Sequence, residues 1–575
     1  MDAANPLIVQ SDGSVLLEVA SARYIEARDF LARFAELEKS PEYIHTYRVT
    51  PLSLWNAASA GLAAEEILAC LGELSKYPVP DNVGRDIADY LSRYGRVKLI
   101  AEGGELYLVS DDLPLMVEIA GAAAAQRFVT PTASATRLRV VPGRRGHIKQ
   151  ALVKLGYPVE DLAGYVEGEP LALQLLASTA LGRPFGLRGY QQEAAEVFYA
   201  GGGARGGSGC IVLPCGAGKT IVGMAAMNTL QCSTLILTPN TIAVRQWIEE
   251  LLDKTSLTPD LIGEYTGFQK EIRPVTVSTY QVLTYRKRAG SRDAGLEVCA
   301  TPPATGEGEF PHFGLFAARD WGLIIYDEVH LLPAPVFRIT AELQARRRLG
   351  LTATLVREDG RESDVFSLIG PKKYDVPWKD LEKQGWIATA CCHEVRLPQS
   401  DEDRMVYALA EPRLKYSVAA QNPRKFPAVE ALLQRHAGAS TLVIGMYLAQ
   451  LEALAERLQA PLLTGKTPVR ERQKLYARFR AGEISTLVVS KVANFSIDLP
   501  DAQVAIEISG TFGSRQEEAQ RLGRILRPKR DGSPAHFYTI VTRDTVDQTM
   551  AANRQRFLTE QGYAYEILYE NEVLA

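Results

Sequence analysis

The stretch IVLPCGAGKT, residues 211–220, decides the reading of this chain. A β-branched apolar run ends there in a glycine-rich turn and opens into a helix near Thr220. That geometry turns backbone N–H groups and a helix N-terminus toward a phosphate. The strict GxxxxGK[ST] pattern needs glycine at 213, where Leu213 stands, so the loop is a variant that keeps its strand context and its GKT end. Pro214, Cys215, Gly216, Ala217, Gly218, Lys219 and Thr220 are the expected nucleotide contacts. Lys219 would neutralise the β- and γ-phosphates, and the Thr220 hydroxyl would complete a Mg²⁺ shell. A structural glycine turn with an incidental lysine is the competing reading.

That competitor weakens at WGLIIYDEVH, residues 321–330, where an apolar strand delivers two acids at its C-terminal edge. Asp327 is placed to hold Mg²⁺, and Glu328 to orient and deprotonate an attacking water. Around both motifs run short apolar segments separated by helical stretches: CIVLP, TLILTP, PVTVSTY, GLIIYD and LGLTAT. Near-continuous apolar runs suit parallel strands covered on both faces, so the expected class is α/β with a doubly wound parallel sheet. A second series, STLVIG, APLLTG, STLVVS and QVAIEIS, starts near 440, so the sheet is expected twice. A Gly/Pro-rich stretch at about 291–312 reads as a surface loop in the first sheet.

The 575 residues are 46% hydrophobic and 23% charged, which excludes a disordered polymer and allows about three to five domains at ~100–200 residues each. With 64 Lys and Arg against 68 Asp and Glu, the net charge is −4, so any nucleic-acid site must be a local stripe. Seven scattered cysteines without CxxC spacing argue for a reducing compartment, and Cys391 and Cys392 read as core filler. The seven histidines form no HExxH or HxH pattern. No run of 18 apolar residues occurs and the start lacks a basic and then apolar leader, so a cytoplasmic, nucleoid-associated protein with no membrane partner is expected. Residues 1–125 mix strand-like and helical patterns as an α+β unit. Residues 137–154 then hold Arg137, Arg139, Arg144, Arg145, Lys149 and Lys154 with no acid, either a phosphate patch or a solvated face.

DEVH, LTAT at 351–354 and QRLGRILRPK at 520–529 look like the motor motifs of superfamily 2 helicases. LTATLVRED running into IGPKKYDVPW, then SKVANFSIDLP and SRQEEAQRLGRILR, resemble the XPB DNA-repair and transcription helicases, as do PEYIHTYRVTPLSLWNAASAGL, YGRVKL and RQRFLTEQGYAY. The resemblance covers nearly the whole chain and is to the compact prokaryotic type. It implies an accessory domain at 1–125, a small basic DNA-sensing domain at 126–185, and RecA-like motors at 186–371 and 372–575. A thumb-like insertion is expected near 401–426. ATP and Mg²⁺ are the implied cofactors. Arg524 and Arg527 would reach across the cleft to the γ-phosphate, Gln520 and Asp498 would join the ATP site, and His330, Thr352, Thr354 and Gln520 would couple the motors. Arg521 is expected at the surface or on the DNA side. LRGYQQ resembles the element near the adenine, with Arg188 beside it and Gln191 as its reader or as a helix cap.

Loops at strand C-terminal ends are expected to track a nucleic-acid backbone through Thr241, Thr266, Gly267, Ser278, Thr279 and Lys491. Arg357, Glu358 and Asp359 match the RED motif linked by resemblance to DNA opening. Arg413 and Lys415, with Arg424 and Lys425, are candidate clamps in the insertion. The expected activity is an ATP-dependent DNA helicase or translocase moving 3′ to 5′ in nucleotide excision repair or transcription-linked processes. The alternatives are a double-stranded DNA translocase or scaffold working only within a larger repair complex, and an RNA-directed motor. The expected partners of this monomeric chain are single-stranded or forked DNA and a nuclease or repair complex.

Overall fold

The computed structural model describes residues 4–39, 43–203, 206–214, 216–285, 311–343, 346–354, 362–490, 502–511, 514–525 and 532–574. Two seven-stranded, wholly parallel sheets dominate it. The first runs, edge to edge, through Ile262–Tyr265, Val275–Thr279, Thr234–Thr238, Leu323–Asp327, Arg347–Thr352, Ser208–Val212 and Lys372–Asp375. The second runs through Leu462–Leu463, Thr486–Ser490, Thr441–Gly445, Val504–Glu507, Ala535–Thr542, Ala390–Leu397 and Tyr565–Tyr569. Strands such as Ser208–Val212, Thr234–Thr238 and Thr441–Gly445 are buried at every residue, as runs flanked by helices on both faces must be. The doubly wound α/β class is therefore present twice, preceded by two α+β units.

Both accessory units are built on antiparallel pairing. The first packs Leu7–Val9, Ser14–Glu18, Ile44–Arg48 and Glu36–Lys39 against helices Pro51–Ser59, Ala64–Leu74 and Asp81–Arg93. The second sheet contains Val129–Pro131, Arg137–Val140, Glu105–Val109, Lys98–Glu102 and Glu160–Asp161. A domain boundary at 125/126 would cut this sheet, because the hairpin Lys98–Glu102/Glu105–Val109 pairs with Arg137–Val140 from the far side. That hairpin turns through Gly103 and Gly104, both at positive φ. The division falls before Lys98. The boundary at 371/372 moves as well, since Lys372–Asp375 completes the first motor sheet beside Ser208–Val212 and the second sheet starts at Ala390.

Within the basic segment 137–154, Lys154 is exposed, whereas four of the six cations are paired with acids. Arg137 pairs with Glu102 at 2.5 Å and Arg139 with Glu105 at 3.0 Å across the sheet. Arg145 and Lys149 are buried and share Asp161 at 2.7 and 3.0 Å. Residues 168–176 then strap across the edge of the first motor: the N–H groups of Glu169, Leu171 and Leu176 donate to the carbonyls of Asp320, Gln231 and Lys254 at 2.9 Å. At Gly168, φ is +80° and a Cβ would lie 2.4 Å from Gly322 Cα, so only glycine allows the approach. The first unit touches both motors, with Lys372 N–H donating to Asn56 Oδ1 at 3.1 Å and Leu37 N–H to Glu560 Oε1 at 3.0 Å.

His45, 4% exposed on Ile44–Arg48, is pushed down to about 4 by burial and by Arg28. An unfolded histidine titrates near 6.5, so the unfolded chain takes up the proton first. The stability His45 contributes is complete above pH 6.5 and is lost as pH falls toward 4, by about 2 kcal/mol. In His45→Gln, the urea midpoint should fall less between pH 6.5 and 4.5 than in the wild type; equal slopes would refute this.

Candidate nucleotide and nucleic-acid site

The phosphate loop leaves the buried strand Ser208–Val212 and enters the helix Lys219–Leu230, capped by Gly218 at φ +81°. A Cβ on Gly218 would lie 2.6 Å from Gln191 Nε2. Gln191 is itself buried; its Nε2 donates to the Ala217 carbonyl at 2.9 Å and its Oε1 accepts the Arg188 N–H at 3.0 Å. Both ends of that amide are thus engaged by the helix start and the loop, as a helix cap requires, with one N–H and one lone pair beyond these two bonds. Tyr190 donates to the same carbonyl at 2.7 Å, and the Arg188 guanidinium stacks 4.5 Å from the Trp386 ring. Cys215 lies outside the described residues.

The acid pair sits at the C-terminal end of Leu323–Asp327. Lys219 Nζ is 3.1 Å from Glu328 Oε1, which joins the two motifs found separately in sequence. Glu328 holds a left-handed φ of +48°, a conformation that a side chain adopts at a cost and that recurs at functional sites. Asp327 Oδ1 accepts the Glu328 N–H at 3.1 Å and Oδ2 accepts the Trp247 indole N–H at 3.0 Å, while Tyr280 donates to the Asp327 carbonyl at 3.0 Å. Burial, and next the Glu328 charge, push Asp327 up to about 6. His330 Nδ1 is 2.6 Å from the Thr352 hydroxyl, which donates to the Thr354 carbonyl at 2.5 Å. Lys219, Glu328, His330, Thr352 and Thr354 therefore form one polar chain, with His330 3.5 Å from Glu328. The hard oxygen donors of Thr220 and Asp327 fit a Mg²⁺ ion.

The expected nucleic-acid contacts divide. Thr241 opens the helix Thr241–Lys254 behind Asn240, whose Oδ1 accepts the N–H groups of Ile242 and Ala243 at 2.9 and 3.1 Å. Gly267 is exposed at a strand end. The side chains of Thr266, Ser278 and Thr279, however, are buried. The hydroxyl of Thr266 donates to Glu264 at 2.8 Å and that of Thr279 caps Tyr280–Leu283, so these residues build the loops rather than face solvent. Sequence reading missed Phe268, beside Gly267 and 84% exposed, an aromatic on which a base can stack; its signal was a bare aromatic in a turn.

In the second motor, the helix Arg515–Ile525 carries Gln520 and Arg524. Arg521, expected outside, is buried and pairs with Glu507, which also holds Arg554 at 2.8 Å. It occupies the helix face that carries buried Leu522 and Ile525, so its charge is satisfied inside the domain. Lys425, a candidate clamp, is likewise fully buried on Asp547 at 2.8 Å, and Arg424 pairs with Glu570. In the insertion, helices Asp401–Leu409 and Pro412–Ala420, Arg413 is exposed and pairs with Glu411 at 2.7 Å, while Lys415 lies 5.2 Å from the Tyr407 ring. Arg357, Glu358, Asp359, Lys491, Asp498 and Arg527 lie outside the described residues, as do residues 286–310, which include most of the stretch at about 291–312 expected as a surface loop. Among the described residues no helix is long and apolar enough to cross a membrane.

Comparison with known proteins agrees with this geometry. Residues 381–574 match the family described as ERCC3/RAD25/XPB C-terminal helicase, residues 184–357 that described as type III restriction enzyme, res subunit, and residues 7–132 that described as helicase conserved C-terminal domain. The chain is 55% identical to a DNA 3'-5' helicase XPB of Kineococcus radiotolerans, over 99% of this chain and 97% of that protein. It is 53% identical to the protein of the same name from Mycobacterium tuberculosis, over 99% and 98%. It is 34% identical to a general transcription and DNA repair factor IIH helicase/translocase subunit XPB of Antonospora locustae, over 97% and 81%.

Proposed function

The chain belongs to the XPB family of superfamily 2 DNA helicases, and from that premise we propose how its residues drive ATP-dependent DNA opening with 3′ to 5′ polarity. The observation that carries the reading is the 3.1 Å contact between Lys219 and Glu328 at the mouth of the phosphate loop. When ATP enters, its β- and γ-phosphates compete for Lys219, and the Glu328 carboxylate is released from its ion pair. The freed carboxylate orients water and accepts its proton as the γ-phosphoryl group departs. Mg²⁺, held by Thr220 and Asp327, supplies charge neutralisation on the phosphates when bound. Arg524 and Arg527 are assigned the role of stabilising charge on the γ-phosphate from the second motor, so turnover would require the cleft to close.

Movement of Glu328 is felt at His330, and through Thr352 at Thr354, which stands three residues before Arg357 in the sequence. Thr241, Gly267 and Phe268 grip one strand, with Arg413 and Lys415 on the insertion side. Single-stranded and forked DNA are the proposed ligands of a monomeric chain, in excision repair or transcription, alongside a nuclease or repair complex.

The test is ATPase rate with and without single-stranded DNA, beside strand release from duplexes carrying a 3′ or a 5′ tail. DNA should stimulate hydrolysis at least tenfold, and only the 3′-tailed duplex should open. ATPase without strand release on either duplex would favour the translocase reading, and equal stimulation by matched RNA would refute DNA specificity.

A further inference from the structure

Asp327 is held from two directions by donors that the phosphate chemistry does not require. Trp247 comes from the helix whose first residue is Thr241, and its indole N–H donates to Asp327 Oδ2 at 3.0 Å. Its ring lies in a notch in the phosphate-loop helix, where a Cβ on Gly223 would stand 2.6 Å from Trp247 Cη2. Tyr280 follows Ser278 and Thr279 directly, and its hydroxyl donates to the Asp327 carbonyl at 3.0 Å. The two arms are tied together at their roots, because the Thr238 hydroxyl contacts both the Asn240 and the Ser278 carbonyls, at 3.1 and 3.2 Å. Trp247 is 1% and Tyr280 3% exposed, so neither touches nucleic acid itself.

We propose that Trp247 and Tyr280 are positioning residues that transmit DNA engagement at two adjacent strand-end loops to the carboxylate and carbonyl of Asp327. The inference rests on the helicase reading and adds a route for coupling inside the first motor, independent of the His330–Thr352 chain. Strand binding at the start of Thr241–Lys254 shifts that helix, and the indole is a stiff arm with only two side-chain torsions. Packed in a notch without slack, it carries the shift to Asp327 rather than absorbing it. Tyr280 does the same from the neighbouring loop, where nucleic acid can reach the exposed Gln281 beside it although Ser278 and Thr279 are buried.

Coupling is reciprocal, so it is measurable without turnover. The experiment compares the affinity of the full chain for a single-stranded oligonucleotide with and without Mg²⁺ and a non-hydrolysable ATP analogue, and the analogue's affinity with and without the oligonucleotide. Trp247→Phe removes the N–H and keeps an aromatic body; Tyr280→Phe removes one hydroxyl. Each should shrink both affinity ratios by about fivefold, within the range of ordinary allosteric coupling, and the DNA stimulation of ATPase should fall in parallel. General loosening of the fold would weaken each binding step and leave the ratios unchanged. A wild-type ratio in Tyr280→Phe, or in Trp247→Phe with an unaltered melting temperature, overturns the proposal. Absence of DNA stimulation in the wild type would instead overturn the helicase reading beneath it.

Discussion

Glu328→Gln lowers DNA-stimulated ATP hydrolysis by about 10²–10⁴-fold, the range that general-base catalysis contributes. Glutamine keeps the shape and the left-handed backbone position, and it cannot take a proton from water. The substitution also dissolves the ion pair with Lys219, which leaves the lysine free for phosphate. Nucleotide affinity should therefore stay level or tighten while turnover collapses, a split that steady-state kinetics and equilibrium binding read separately. Lys219→Ala strikes both, since it removes the charge that receives the phosphates. Turnover of Glu328→Gln within tenfold of the wild type would remove Glu328 from the role of base.

The second large effect lies far from the cleft. Asp161→Ala should destabilise the protein by about 3–5 kcal/mol, the cost of stranding buried charge. Its carboxylate takes Arg145 at 2.7 Å and Lys149 at 3.0 Å; Arg348, fully buried, and Arg145 both stack near the Tyr165 ring, at 5.4 and 5.1 Å. Burial opposes the Asp161 charge, but Lys149 and Arg145 outweigh it and hold the carboxyl well below the usual range. Its contribution is present above pH 4 and disappears only as pH falls through that lowered value. Arg144→Ala, one residue from the cluster, should change stability by less than about 0.5 kcal/mol. Thermal and urea unfolding of the three proteins decides the matter; an Asp161→Ala chain as stable as the wild type would show that the cluster tolerates its uncompensated cations.

Both cases show what a linear reading reaches. The phosphate loop and the acid pair are local: a strand, a turn and a helix start within ten residues, with chemistry that permits few substitutes. Their meeting through Lys219 and Glu328 could be inferred because the doubly wound sheet collects strand ends on one edge. The accessory boundary was not legible, because Lys98–Glu102 finds Arg137–Val140 through pairing that leaves no short-range mark. Charge was misread for a similar reason. Arg145, Arg521 and Lys425 look like solvent or DNA contacts until Asp161, Glu507 and Asp547, each distant or unremarkable in sequence, are seen beneath them. Thr266, Ser278 and Thr279 stand in the expected loops, but all three are buried and the hydroxyls of Thr266 and Thr279 serve the turns, a choice that spacing does not reveal.

The contacts around the first motor differ in what it takes to undo them. The small β unit is sewn on by the 168–176 strap and by Gln150, whose Nε2 donates to Asp364 Oδ1 at 3.3 Å, several bonds that would have to fail together. The N-terminal unit instead reaches each motor through contacts that include a single backbone N–H, Lys372 to Asn56 on one side and Leu37 to Glu560 on the other. Each such bond is worth about 1 kcal/mol. A change in the width of the cleft must therefore be met at these contacts. Of the two accessory units, the small β unit rides on the first motor, whereas the N-terminal unit bridges the pair.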